Sequence, residues 1–333
     1  MVAIGEICAW NNLGRNVVFA SSDLRPVAIF GETRFPEDDE LSQYDLDVHA
    51  IVDLPGIDVV VVLNHLGLIR AFRRSDIRAG PARRLHPLWT RTFAADVERL
   101  VAVGDRLVGS RPRGADAGGL LVSEPIGGMP SRSPVDADTQ LETWGAVTAL
   151  VGLPAGGDDR VAVGGEGRVA LVSARDGRVD DVRWEVEVGF QPAGLLWDGT
   201  LVWAAGHESD TAAIGDYEWE KLRGGGFAGL DPVDGDMVVH GHFSDDLGWG
   251  NGGMAVAIAG GAVCGIGQTG ELHLFRARDG EPLGHTAPFA HRSLGIAHTA
   301  AVGEHVLYGF NRGGYRLRRV AVSSIARLAG ARG

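Results

Sequence analysis

The segment His49-Ala-Ile-Val-Asp-Leu-Pro-Gly-Ile-Asp-Val-Val-Val-Val-Leu-Asn-His65 shows the pattern that decides the fold. An apolar run is followed by a turn of proline, glycine and aspartate, and then by a second apolar run. Short apolar runs bounded by such turn residues are typical of β-strands joined as hairpins. A similar segment, His298-Thr-Ala-Ala-Val-Gly-Glu-His-Val-Leu-Tyr-Gly-Phe-Asn311, lies far along the chain. We interpret the pattern as one copy of a repeated β-hairpin unit.

The hairpin unit recurs along the chain at nearly regular intervals. Its first strand is predicted to begin at seven positions: Ile7, His49, Glu98, Thr148, Ala193, Met254 and His298. Successive starts lie 42 to 61 residues apart, and a four-stranded propeller blade occupies about 40 to 50 residues. Amphipathic helical stripes are nearly absent. The sequence therefore predicts an all-β fold, a seven-bladed β-propeller with four-stranded antiparallel blades.

The whole chain, residues 1–333, is predicted to form a single propeller domain, because each blade buries its faces only against its neighbours. The approximate blades are residues 1–42, 43–91, 92–142, 143–188, 189–244, 245–290 and 291–333. The longest interval is explained by an insertion from Glu208 to Gly224. The stretch from Asp236 to Phe243 is predicted to be the outermost strand of the fifth blade, and Ser244 to Gly253 the loop that crosses to the sixth.

The amino-acid composition argues against two classes of binding partner. The chain has 31 basic and 43 acidic residues, a net charge of -12, which argues against binding to nucleic acid or to an anionic membrane. No apolar run approaches the roughly 20 residues that span a bilayer. We expect a soluble, cytoplasmic protein, although a secreted chain trimmed of its signal peptide would have the same composition. Cys8 and Cys264 each lie in an apolar run and are predicted to be buried free thiols.

Three segments share a strand, an Asp-Gly turn and the start of a further strand: Ala170-Leu-Val-Ser-Ala-Arg-Asp-Gly177, Ala228-Gly-Leu-Asp-Pro-Val-Asp-Gly235 and Leu272-His-Leu-Phe-Arg-Ala-Arg-Asp-Gly280. This signature resembles the repeats of PQQ-like and related quinoprotein-type β-propellers. The resemblance implies the propeller fold and does not specify an activity. Quinoprotein dehydrogenases carry a vicinal cysteine pair over the cofactor, which Cys8 and Cys264 cannot supply. We therefore do not expect bound PQQ.

The predicted fold brings distant polar residues to one face of the propeller. The starts of the inner strands contribute His49, Glu98, Thr148 and His298. The turns between second and third strands contribute Ser22, His65, Arg111, His207, Gln268 and Asn311. The loops between blades add His242, Asp245, Asp246, Trp249, Asn251 and His291. We therefore expect a cluster of histidines and carboxylates around the central channel.

Clustered imidazoles favour two kinds of chemistry. Neutral histidine nitrogens bind transition metals such as iron, copper, zinc or manganese, and the candidate ligands are His49, His207, His242 and His298. Histidine also exchanges protons near neutral pH, and the candidate catalytic residues are His242, His65, Glu98, Asp245 and Trp249. A histidine in a turn also serves as an ordinary hydrogen-bonding loop residue, and a tryptophan in a loop can simply pack.

Two classes of function follow from this sequence. The first is an enzyme, such as an oxygenase, lyase or hydrolase, that acts on a small-molecule substrate at the mouth of the channel. The second is a non-catalytic propeller scaffold for protein–protein interaction. The abundance of His, Asp and Asn on the predicted channel face favours the enzyme. The sequence does not indicate the oligomeric state.

Overall fold

Antiparallel hairpins account for nearly all of the regular structure in the computed structural model. It describes residues 2–5, 7–12, 16–21, 23–24, 26–30, 48–64, 67–78, 85–92, 97, 99–104, 106–110, 120–122, 126, 135–136, 147–153, 159–175, 178–214, 217–243, 256–266, 270–287, 297–310 and 316–330. Short turns make the hairpins possible: Gly104 and Gly303 have φ angles of 59° and 55°. Glycine adopts this left-handed backbone without the steric cost of a Cβ atom.

The chain divides into two compact units, and the first holds residues 1–162 and 172–183. Its first sheet has the strands β1 (Val2–Ile4), β2 (Ile7–Asn12), β3 (Asn16–Ser21) and β4 (Pro26–Phe30). The second has β5 (Val48–Leu54), β6 (Val59–Asn64), β7 (Leu68–Arg73) and β8 (Trp89–Thr92). The third has β9 (Arg99–Val103), β10 (Arg106–Ser110), β11 (Leu120–Val122) and β12 (Val135–Asp136).

A fourth sheet has strands assigned to both units. Its strands are β13 (Ala149–Leu153), β14 (Arg160–Gly165), β15 (Arg168–Arg175) and β16 (Arg178–Glu187).

The second unit holds residues 163–171 and 184–333. One sheet has the strands β17 (Gln191–Trp197), β18 (Val202–Ile214), β19 (Tyr217–Leu230) and β20 (Met237–Phe243). The next has β21 (Val256–Ala259), β22 (Ala262–Ile266), β23 (Leu272–Arg276) and β24 (Pro282–His285). A three-stranded sheet has β25 (Ala297–Val302), β26 (His305–Phe310) and β27 (Arg316–Ala321), which is followed by the helix α1 (Val322–Gly330).

Within each unit, the first strands of successive sheets lie side by side. In the first unit β1 contacts β5, β5 contacts β9 and β9 contacts β13. In the second unit β17 contacts β21, and β21 contacts β25. Consecutive antiparallel sheets with adjacent first strands are the arrangement of propeller blades. The prediction of an all-β propeller with four-stranded antiparallel blades is therefore confirmed at this level.

Apolar residues form the core of each unit by packing between sheets. In the first unit Val60, Val62 and Phe72 of the second sheet cluster with Ile7 and Ala9 of the first. In the second unit Trp203, Phe227 and Phe243 cluster with Val263 and Phe275 of the following sheet. The rings of Phe227, Phe243 and Phe275 lie 4.9 to 5.6 Å apart between centroids, which is the usual distance for tilted aromatic pairs.

The helix α1 packs in a separate apolar cluster of the second unit. Ile325 is fully buried in a cluster with Ala257 and Cys264. At Gly260 a Cβ atom would lie 2.9 Å from the carbonyl oxygen of Val322, so only glycine allows the helix to approach the β21–β22 turn this closely. The sequence did not predict this helix.

Two predicted positions in the repeat are wrong. Ile7 begins the second strand of its sheet rather than the first, because Gly5 turns the chain between β1 and β2. Ser22, which was predicted at a turn of this unit, lies outside the described residues. His207 lies inside β18 rather than at a turn, because the predicted insertion from Glu208 to Gly224 continues both strands of the β18–β19 hairpin.

Other predictions are confirmed. Cys8 and Cys264 are buried free thiols. The outermost strand of its sheet is β20, at the position predicted for Asp236 to Phe243. In the described part of the chain, no helix is long and apolar enough to cross a membrane.

Candidate functional site

His207 and His242 lie on the same sheet but on opposite faces of it. His207, which is half-buried on β18, pairs with Gly225, and Gly225 pairs with Phe243 of β20. His242 is exposed on β20 and pairs with Gly226, one row away. Successive rows of a pleated sheet point to opposite faces. These two predicted ligands therefore do not meet at one metal ion.

The remaining predicted site residues divide into two groups. His49 lies on β5 and His298 on β25, each on the first strand of its sheet. His65, Glu98, Asp245 and Trp249 lie outside the described residues. No group of three or more His, Cys, Asp and Glu in the described part of the chain could hold a metal ion. The convergence of the other candidates on one face stays a prediction.

A smaller histidine group lies on the strands β23 and β24. His273 of β23 pairs across strands with His285 of β24, and the two ring centroids lie 5.7 Å apart. The Nε2 atom of His273 lies 3.2 Å from a carboxylate oxygen of Glu271. The Phe243 ring packs edge-on against His273 from another side, and the centroids of these two rings lie 6.3 Å apart. The imidazole and the carboxylate are within hydrogen-bond distance, but the described residues around them do not assemble a three-ligand metal site.

The Asp-Gly turn that follows β23 is held by a buried arginine, Arg276. The Arg276 guanidinium, only 5% exposed, contacts Asp279 at 2.9 Å and Glu281 at 2.6 Å. A hydrogen bond from the backbone N–H of Glu281, followed by that from Arg276, lowers the pKa of Asp279 from its ordinary value of 3.8. The hydrogen bond to Asp279 raises the pKa of Arg276 further. These charges therefore stabilise a turn and are not available as reactive groups.

Cys264 offers no reactive thiol. Burial raises the pKa of the Cys264 thiol to about 12, so the thiolate that would act as nucleophile or metal ligand is not populated near neutral pH.

The connection between β19 and β20 is a rigid turn with apolar residues on its surface. We call residues 231–238, that is, this connection together with the first two residues of β20, the Asp231–Val238 turn. The Oδ1 atom of Asp231 accepts a hydrogen bond from the backbone N–H of Val233 at 2.7 Å. The backbone N–H of Asp231 donates to the Asp236 carbonyl at 2.9 Å, and that of Gly235 donates to the Asp231 carbonyl at 2.9 Å. The turn is therefore held by several short-range hydrogen bonds.

The opposite end of the same sheet is a two-stranded ribbon. β17 reaches only to Gln191, opposite His207, and β20 ends at Phe243, opposite Gly225. Beyond these residues β18 and β19 pair with each other, from Glu208↔Arg223 to Ile214↔Tyr217, and no other described strand pairs with them. We call residues 208–214 and 217–223 the ribbon. Its seven residue pairs span about 24 Å at roughly 3.4 Å per residue.

Comparison with solved structures supports the fold. The chain is similar to BamB from Moraxella catarrhalis, with a TM-score of 0.50, 14% identity, and coverage of 96% of this chain and 84% of that chain. It is also similar to the β-propeller domain of Cps50 (Swd1) from Myceliophteria thermophila, with a TM-score of 0.63, 10% identity, and coverage of 95% and 92%. The computationally designed Ika8 protein gives a TM-score of 0.55 at 11% identity, with coverage of 95% and 93%.

At these identities the likeness concerns the fold alone. The resemblance to PQQ-like propeller repeats is confirmed at that level, because BamB is a propeller of this repeat type. No family model matches the sequence, and no curated protein matches it.

Proposed function

We propose that this chain is a non-catalytic β-propeller scaffold that binds another protein. The observation that carries the proposal is the ribbon, which extends one hairpin of a blade past the strands on both sides of it. A blade needs no such extension to bury its own faces. An extended hairpin does provide backbone and side chains that can reach a second molecule.

A ribbon of two strands gains little stability from its own hydrogen bonds. Isolated two-stranded hairpins are marginally stable in water, and a third strand or a packed surface is needed to hold them. In the described part of the chain, no further strand pairs with residues 208–214 or 217–223. A bound protein would supply the missing support.

The ribbon sequence contains residues of the type found at protein interfaces. Tyr217, Trp219 and Leu222 lie within it, and aromatic residues are enriched at such interfaces.

The test is a shortened chain in which residues 209–222 are replaced by an Asn-Gly turn. Quantitative affinity purification from the source organism would compare this variant with the wild type and with Leu88→Ser, which changes an exposed residue away from the ribbon. We expect a partner that the wild type and Leu88→Ser retain and the shortened chain loses. That partner, purified, should bind the wild type in a binary assay at least about tenfold more tightly than the shortened chain. Equal binding of the partner to the wild type and to the shortened chain would show that the ribbon is not part of the interface.

A small-molecule enzyme based on histidines is the second candidate. It is supported by the placement of His49 and His298 on the first strands of their sheets, where the channel residues of a propeller lie. In this proposal a transition metal, iron, copper, zinc or manganese, is the cofactor and the substrate is a small molecule. Elemental analysis of the purified protein tests it. Stoichiometric metal that His298→Ala loses would support the enzyme, and metal-free protein would count against a metal-dependent one.

The finer details of the architecture are also proposals. A count of seven blades is supported by the grouping of the described strands into six four-stranded sheets and one three-stranded sheet. An experimental structure that shows a different number of blades around the axis would correct it.

A further inference from the structure

The Asp231–Val238 turn concentrates exposed apolar surface at one place. Val233 is 80% exposed, Val238 58% and Met237 37%. Among the described residues the other large exposed hydrophobics are Leu88 and Leu328, each 46% exposed and each in a separate part of the chain. Single exposed apolar residues are common on soluble proteins, whereas adjacent ones mark interaction sites.

The turn presents these residues on a rigid frame. Trp184 is nearly buried, and its indole N–H donates to the carbonyl oxygen of Pro232 at 3.3 Å. At Gly235 a Cβ atom would lie 2.8 Å from the Trp184 ring, so the ring packs directly on the turn. The Asp234 Oδ1 atom accepts the backbone N–H of Asp236 at 3.0 Å. A surface that is already ordered loses less conformational entropy when it binds.

The charged residues of the turn itself are all negative. Asp234 and Asp236 are exposed, and Asp231 is half-buried. No lysine or arginine occurs between Arg223 and Arg276 in the sequence. Three carboxylates around an apolar patch oppose association with a second copy of the same patch and attract a partner of opposite charge.

We propose that the Asp231–Val238 turn is a docking surface for a protein segment that carries apolar side chains flanked by lysine or arginine. Val233, Met237 and Val238 contact the apolar side chains of this segment, and Asp234 and Asp236 face its basic residues. This inference rests on the proposed scaffold function and adds a second surface to it, at the end of the sheet opposite to the ribbon.

The experiment uses the full chain and two fluorescein-labelled synthetic peptides. One has a core of leucine and valine flanked by lysines, and the other has the same core flanked by glutamates. Fluorescence anisotropy measures their binding to the wild type, to Val233→Ser/Val238→Ser, and to the matched control Leu88→Ser/Leu328→Ser. All four positions are exposed, so these substitutions leave the core unchanged.

We expect the lysine-flanked peptide to bind the wild type and the control equally, and to lose at least about tenfold in affinity on Val233→Ser/Val238→Ser. Asp236→Asn should reduce the dependence of binding on salt, since one charge is removed from the rim. Equal binding to both double variants, or equal binding of the glutamate-flanked peptide, would overturn the proposal.

The same titration on the shortened chain separates this proposal from the proposed function. Peptide binding that persists when the ribbon is removed assigns it to the turn. If the ribbon-dependent partner is found but the peptide does not respond to Val233→Ser/Val238→Ser, the scaffold function stands and the docking surface at the turn is wrong.

Discussion

The two ends of the β17–β20 sheet differ in how they are held. The ribbon continues β18 and β19 for seven pairs, and no other strand of the described residues pairs with it, whereas the Asp231–Val238 turn closes within a few residues through short hydrogen bonds. The turn also packs on a nearly buried tryptophan, Trp184. A short connection can therefore be held by several local contacts.

The largest expected effect comes from removing the support of the turn. Trp184→Ala deletes a nearly buried ring, and such truncations cost about 3 to 5 kcal/mol in the free energy of unfolding. Urea denaturation measures this loss, and hydrogen exchange of the amides of residues 231–238 should become faster. Trp184→Phe is the control, because it keeps most of the packing and removes only the hydrogen bond to Pro232. Unchanged exchange in Trp184→Ala would show that the turn is held without the ring.

The next effect concerns the base of the ribbon. A Cβ atom at Gly226 would lie 2.6 Å from the ring of Phe190, so Gly226→Ala should cost about 1 to 3 kcal/mol through overpacking. Thermal unfolding of the variant gives the loss. Gly226→Ala combined with Phe190→Leu should recover part of it, because the smaller side chain makes room. No loss in the single variant would mean that the Phe190 ring moves aside freely.

A smaller effect is expected from one hydrogen bond of the turn. Asp231→Ala removes the acceptor for the backbone N–H of Val233 and should cost about 1 kcal/mol. Asp231→Asn retains an acceptor oxygen and should cost less. Equilibrium denaturation of the pair distinguishes the hydrogen bond from the charge, and equal losses in both variants would assign the effect to the charge.

The smallest expected effect concerns Asp279, which lies in the Asp-Gly turn between β23 and β24. Because the pKa of Asp279 is lowered in the folded chain, its carboxylate stabilises the fold above the unfolded pKa. This contribution is lost as the pH falls below 3.8 and through the lower folded value. Asp279→Asn should therefore destabilise the protein slightly at neutral pH and have no effect in acid. Urea midpoints of wild type and variant at both pH values measure the difference, which a pH-independent loss would contradict.

The fold was predictable because the repeat itself carries the information. The apolar runs around Leu54 and Val59 predicted the hairpin β5–β6 with nearly correct ends. The ribbon was missed because its residues break the apolar pattern of the other strands. Gly215-Asp216 between Ile214 and Tyr217 is a two-residue hairpin signal that could have revealed it.

The candidate site was less predictable because it depends on register. The sequence placed His207 and His242 on one face of the propeller, and that stays a prediction. On which face of its own sheet a residue lies depends on which residue it pairs with across the sheet. In the structure His207 lies in the same row of paired residues as Phe243, and His242 lies in the next row. This register is set by the folded sheet and cannot be derived from the local sequence. The exposed Val233 and Val238 were missed for a similar reason, since exposure cannot be read from a valine in a strand-like run.

The helix α1 has a consequence for the order in which the second unit folds. Ile325 completes the cluster that contains Ala257 and Cys264, so the β21–β22 hairpin cannot finish its core until α1 has been synthesised. During translation, part of the apolar surface of this hairpin therefore stays uncovered until more than fifty further residues have been synthesised. The last step in building this core therefore follows the synthesis of α1.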